Sequence, residues 1–332
     1  MTNITQFPTS VDYPDLDIQV LQTARAQAND AAIEVKRLFI QTQYLPSLHK
    51  RIADQDRALR TGHTKLRETV HSLDTLLSIN IGTVRELQKE LQSAPASDIE
   101  EIIEDIVHRL QTIVGIVSNK EGELGQVIPA LTSPIDRAAM QNYIKQLEAD
   151  ERRLPAEVQG IKARQDALEE KRKALTDAMA VIEAKGFSAL AKDTALTAQE
   201  LVKLGMTPPQ LIAVEGAIDL AHQILEKAEN LINYLGLVEA RNTLRKQIDD
   251  LIDSTYEKTD ELRLVSLRKE LIAACHTFDD HRAQYISEFQ KFVEAKRAFL
   301  NTHKTVRADD VDAIGQFVVD ALSLAKHLKV IG

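Results

Sequence analysis

The sequence predicts an all-α protein: an elongated helical tail bundle, a long antiparallel two-helix coiled-coil stalk, and a small apolar helical head. Three observations lead there. The 332 residues include only 12 Gly and 9 Pro, aromatics make up 4%, and Trp is absent; with abundant Ala, Leu, Glu, Lys, Gln and Arg, this is the composition of long helices. Apolar residues recur every seven positions through much of the chain, the repeat that seams helices along their length. Between Gly186 and Gly236 the repeat stops, and short helix signals around a Pro208-Pro209 turn replace it.

Charge and cysteine usage narrow the function classes. The net charge of −9 argues against nucleic acid as a partner and against simple adhesion to anionic lipid. Cys275 is the single cysteine, which excludes an internal disulfide. Met1 to Pro14 lacks a basic region followed by an apolar one, so no classical signal peptide is expected. No window of about 18 uncharged apolar residues occurs, so no permanent membrane span is expected either.

The tail comes first, over 1–132. Met1 to Asp15 reads as an irregular leader. A helix is expected from near Leu16 to Tyr44, broken at Pro46. Ile52, Leu59, Leu66, Leu73, Asn80 and Leu87 then continue a seven-residue row from Leu45; Asn80 in that row either fixes register or is simply solvated. Ser97-Asp98-Ile99-Glu100 reads as a capping box opening a helix with Ile99, Ile103, Ile106, Leu110, Ile113 and Val117 on one face. Gly122, Gly125 and Pro129 are its expected end.

The stalk follows in two strands, 133–185 and 237–275. Ser133-Pro134-Ile135-Asp136 reads as an N-cap serine, a proline at the first helical position and an acid in the first turn. Met140, Leu147, Leu154, Ile161, Leu168, Leu175 and Ile182 form one apolar row whose companion row is half polar, as a thin two-helix stalk needs. Pro155 is a candidate bend. The return helix carries Leu237, Leu244, Leu251, Val265 and Ile272, with Lys258 breaking the row. From 276–332 the chain rejoins the tail, where Phe278, Tyr285, Phe292 and Phe299 are expected in the core. A last helix is expected near Asp309 to Lys329.

The head, 186–236, is where function is expected. Thr197-Ala198-Gln199-Glu200 reads as a capping box ended by Gly205, and Thr207-Pro208-Pro209 as the start of the next helix. On that helix Glu215, Asp219, His222 and Glu226 fall within about 60° of one another, taking 100° per residue. Leu211, Val214, Ala217, Ile218, Ala221, Ile224 and Leu225 occupy more than half the circumference and need burial. A lone hairpin of this segment carries too many charges to insert, at about 2.5–3.5 kcal/mol for each one at mid-bilayer. A ring of hairpins with its acidic seam toward a wet lumen could insert.

No enzyme chemistry is legible. Gly122-Glu-Leu-Gly125 lacks the Lys-Ser/Thr of a phosphate loop. Cys275, His276, Asp279 and Asp280 put at most two ligands on one helix face, which does not make a zinc site. No metal or cofactor is expected.

The layout of a five-piece helical base, an antiparallel stalk and an apolar tip resembles the α-pore-forming toxins of the cytolysin A type. The tip, Gly186-Phe-Ser-Ala-Leu-Ala with Leu204-Gly-Met-Thr-Pro-Pro-Gln-Leu-Ile, is similar to the B component of the alpha-xenorhabdolysin-type binary cytotoxins. The resemblance implies a secreted, initially soluble protein that pairs with a homologous A component. The pair would form a hetero-oligomeric ring on target-cell membrane lipid and insert a lytic pore. It implies insertion of Phe187 to Leu235, with Phe187, Leu190, Leu196, Leu201, Leu204, Met206, Leu211, Ile212, Val214, Ile218, Leu220, Ile224 and Leu225 as the apolar contacts. Glu215, Asp219, His222 and Glu226 would face the lumen. Gly186, Gly205, Pro208, Pro209 and Gly236 would supply turns and hinges. Without the resemblance, the same residues also fit a non-toxic coiled-coil adaptor whose tip is a plain helical cap.

Overall fold

A computed structural model describes residues 11–185, 194–226, 232–304 and 311–329. Among them the secondary structure is helical apart from one isolated bridge. The elements are α1 (Ile18–Thr42), α2 (Pro46–Ser93), α3 (Ile99–Gly125), α4 (Ile128–Leu131), α5 (Arg137–Ala184), α6 (Ala198–Lys203), α7 (Pro208–Leu225), α8 (Tyr234–Thr302) and α9 (Val311–Leu328). They divide into two compact units, Met1–Gln141 with Arg268–Gly332, and Asn142–Leu267.

In the first unit α2 packs against α1, α3, α4 and α9. Its seven-residue row points inward as expected: Ile52, Leu59, Leu66 and Leu73 are buried. Asn80 is buried as well, and its amide donates to the Leu76 carbonyl one turn earlier at 2.8 Å. Its polarity is therefore satisfied within its own helix. The aromatic row of α8 is the centre of this unit. Phe278, Tyr285, Phe292 and Phe299 are all fully buried, joined by Phe289, and each such ring removes about 150–250 Å² from water. Phe299 meets Phe317 of α9 edge-on at 5.4 Å.

Two helix starts differ from expectation. Ser97 does not cap α3: Asp98 occupies the cap position without a side-chain bond, and the Ser97 hydroxyl donates to the Asp98 carboxylate at 2.7 Å. The buried face of α3 uses Ile102 rather than Ile99 or Ile103. Ser133 does not cap α5 either. Its carbonyl accepts from Gln55 and from Arg282, the latter at 2.7 Å, so the helix starts later. Asp136 then accepts from the Ala139 N–H at 2.9 Å.

In the second unit α5 and α8 share an apolar seam. Leu147, Leu154, Leu175 and Ile182 of α5 are buried, while Ile161 and Leu168 between them are half-buried. Pro155 lies inside α5, which continues through it. Lys258, which breaks the α8 row, sits 3.5 Å from Glu157 of α5 and 2.9 Å from Glu261.

Candidate functional site

The head is assembled where α5 ends and α8 begins. Leu175, Met179 and Ile182 line one face of α5; Leu237, Ala240 and Leu244 line one face of α8. Between them α6 and α7 close over the gap, supplying Leu201, Val214, Ala217, Ile218 and Ala221. Leu196, Met206 and Ile232 fill the loops between these helices. Each fully buried aliphatic side chain contributes about 1.5–3 kcal/mol, so this cluster holds α6 and α7 onto α5 and α8.

Local chemistry sets the short helices. Thr197 caps α6, its hydroxyl accepting from the Glu200 N–H at 3.4 Å. Gly205 ends the helix with φ +64, a left-handed conformation that favours glycine. Thr207 opens α7, where Gln210 reaches back to accept from its N–H at 3.0 Å, and Pro208 takes the first helical position. Pro209 follows it in the first turn of α7 and is exposed.

Among the described residues, polar ties fasten the head. The Leu196 N–H donates to the Ile232 carbonyl at 2.9 Å, and Ala195 pairs with Asn233 in the antiparallel bridge. Lys185 donates to the Gly205 carbonyl at 3.1 Å. The Tyr234 hydroxyl donates to the Glu183 carboxylate; burial first, and then that carboxylate, pushes its phenol up to about 12. Asn233 caps α8 by accepting from the Gly236 N–H at 2.8 Å. Gly236 is buried in the first turn of α8, and a Cβ there would meet the Ile232 side chain at 3.2 Å.

The sequence-selected residues divide by exposure. Leu196, Leu201, Met206, Val214 and Ile218 are buried in the cluster, and Leu204, Leu211, Leu220, Ile224 and Leu225 pack against its edge. Ile212 is 71% exposed. Gly186, Phe187 and Leu190 lie outside the described residues. Glu215, Asp219 and Glu226 are exposed and His222 half-buried, all on the side of α7 turned from the cluster. Sequence reasoning did not single out Ile232, Asn233 or the ties at Lys185 and Glu183. Asn233 carried a signal, since asparagine is a preferred N-cap residue; the ties had none. Asp279 and Asp280, considered above as metal ligands, are held by Arg137, and Asp279 also by Arg282. Cys275 is buried, which pushes its thiol up to about 12.

Among the described residues, no helix is long and apolar enough to cross a membrane. Among the described residues, α6 and α7 bury part of their apolar surface against α5 and α8, while Ile212 stays exposed.

No protein-family model matches this chain, and no curated protein matches it in sequence. Its fold is nevertheless one already seen, in chains that include members of pore complexes. The crystal structure of XaxB from Xenorhabdus nematophila matches with a TM-score of 0.81 at 18% identity, covering 95% of this chain and 97% of that one. YaxB from Yersinia enterocolitica matches with a TM-score of 0.63 at 12% identity, covering 97% and 99%. A chain of the XaxAB pore complex from Xenorhabdus nematophila matches with a TM-score of 0.62 at 19% identity, covering 96% and 100%. The likeness is one of fold, and it runs nearly end to end. The all-α architecture that the resemblance implied is the one observed.

Proposed function

We propose that this chain is the B-type component of a bipartite α-pore-forming cytotoxin. The observation that carries the reading is the near full-length fold likeness to XaxB and to a chain of the XaxAB pore complex. A head whose apolar cluster is covered by the short helices α6 and α7 and tied by polar contacts such as Lys185–Gly205 is consistent with it. In this reading the protein is exported and pairs with a homologous A component. The pairs ring up on the target-cell membrane, and the head opens. The tail comprises 1–132 and 276–332, the stalk 133–185 and 237–275, and the inserting head 186–236.

The mechanism follows from the head's chemistry. α7 has 18 residues, about 27 Å at 1.5 Å per residue, close to the roughly 30 Å hydrocarbon core. Opening turns Val214, Ala217, Ile218 and Ala221 from each other toward lipid and neighbouring subunits. Glu215, Asp219, His222 and Glu226 then share a seam that only a water-filled lumen accommodates, which makes the pore prefer cations. Gly186 and Gly236 serve as hinges.

Dye release from lipid vesicles tests this, with the chain alone and with a homologous A component. Leakage with the pair, lost in Ile218→Asp, is the expected result. Binding of partner helices without leakage would instead indicate the adaptor.

A further inference from the structure

The first compact unit contains a cleft of ≈ 670 Å³ between α1, α2 and the end of α9, within the size range of small-ligand sites. Its lining includes the half-buried His63, whose Nδ1 lies 3.5 Å from the Tyr285 hydroxyl. Arg25 of α1 and Arg67 of α2 line the same cleft. Among the described residues neither guanidinium has an ion-pair or hydrogen-bond partner. Both bear on His63: after burial, their charges are what push its imidazole down to about 4. Arg25 also acts on Tyr285.

The remaining charged groups leave this potential standing. Lys329 lines the cleft and is spent on Asp74 at 3.3 Å. Glu68 is the one other carboxylate in the lining, and it also acts on the nearby Lys65. His71 completes the set of titratable groups. Among the arginines, Lys329, Glu68 and Asp74 one net positive charge therefore remains. Two like charges converging on an imidazole are what a multi-oxygen anion relieves, since each guanidinium presents a planar fork of donors to it.

We propose that this cleft binds a phosphate-type oxyanion, held by the Arg25 and Arg67 guanidinium groups and by the His63 imidazole. The anion cancels the repulsion that keeps His63 neutral, so binding takes up a proton. Affinity accordingly strengthens as pH falls through the raised His63 midpoint and levels off above it. The oxyanion can come from a free phosphate ester or from a lipid headgroup. The proposal stands independently of the pore-forming reading.

Sulfate is the probe, because it keeps its charge while the histidines titrate. The His63 ring is followed by NMR in sulfate and in chloride at matched ionic strength, with His71→Gln as the assignment control. The expected result is a rise in the His63 midpoint of about one pH unit or more, which corresponds to a tenfold preference of sulfate for the protonated form. Arg25→Gln combined with Arg67→Gln removes two exposed side chains; it should leave thermal unfolding unchanged and abolish the rise. The same titration in both salts, or a rise that persists in the double variant, overturns the proposal. Competition then identifies the source. Displacement of sulfate by glycerol phosphate points to a free ester, and displacement only by vesicles containing phosphatidic acid points to a headgroup. Displacement by neither overturns the phosphate assignment.

Discussion

The Leu196 N–H donates to the Ile232 carbonyl at 2.9 Å, and this backbone bond, with the Ala195–Asn233 bridge beside it, joins the two ends of the described segment that carries α6 and α7. The opening proposed for the head would have to break it. Residues facing one another in an antiparallel pair have Cα atoms about 4.5–5.5 Å apart, within reach of a disulfide. Ala195→Cys with Asn233→Cys should therefore lock the head when oxidised. Cys275 is buried and does not compete. Losing the Asn233 cap costs about 1 kcal/mol, too little to unfold the protein. The oxidised variant, mixed with an A component, should release no dye from vesicles, and reductant should restore release. Equal leakage in both states would show that these ends stay together in the pore.

Ile212 and Ile218 separate the head's packing in water from the insertion proposed for it. Ile218 is 9% exposed and belongs to the cluster, whereas Ile212 is 71% exposed. Ile218→Asp places a charge in the cluster and should destabilise the soluble head by several kcal/mol. Ile212→Asp should leave soluble stability within about 0.5 kcal/mol, as ordinary surface changes do. In a bilayer the same substitution costs about 2.5–3.5 kcal/mol. Denaturant unfolding should thus distinguish the two variants while dye release falls in both. Undiminished release by Ile212→Asp would place its side chain outside the membrane.

What was legible in the sequence follows the range of the interactions. The long helices declared themselves because a seven-residue row repeats the same instruction many times; Ile52 through Leu73 and the aromatic row of α8 need no distant information. Thr197, Gly205 and Thr207 were legible because a cap or a left-handed residue is a local device. Ser97 was misread because its hydroxyl bonds the adjacent Asp98 carboxylate rather than a helix N–H, and Ser133 for the complementary reason. Each has a capping side chain, but Ser133 has its carbonyl drawn off by Gln55 and Arg282 from other helices, which a local rule cannot see. Lys258 was visible as a break in its row, and its partner Glu157 on α5 was not. The Leu196–Ile232 bond left no trace in composition or period, because backbone pairing places no demand on either side chain.

Gly205 tests the local reading of the head. Its φ of +64 is left-handed, and a Cβ there would meet nothing within 4 Å. Gly205→Ala therefore costs only the conformational term, about 1–2 kcal/mol. Hydrogen exchange across α6 should speed up accordingly, with no change in the tail. A cost near zero would mean that the turn after α6 relaxes to another conformation.

Lys296 makes the stability of the tail depend on pH. It is 0% exposed in the aromatic core and donates to the Phe292 carbonyl at 2.6 Å. Burial pushes its amine down to about 7, partly countered by Glu121, against an unfolded value near 10.4. Between these two values the unfolded chain holds a proton that the folded chain does not, so stability rises with pH across that window. Above the unfolded value both states are neutral and no penalty remains; below about 7 the penalty is complete. The slope it contributes is at most about 1.4 kcal/mol per pH unit. Lys296→Met keeps the volume and removes the charge. It should raise the thermal midpoint at pH 7, raise it less at pH 9, and leave it nearly unchanged toward pH 10.4. A gain independent of pH would mean that Lys296 stays protonated in the folded core.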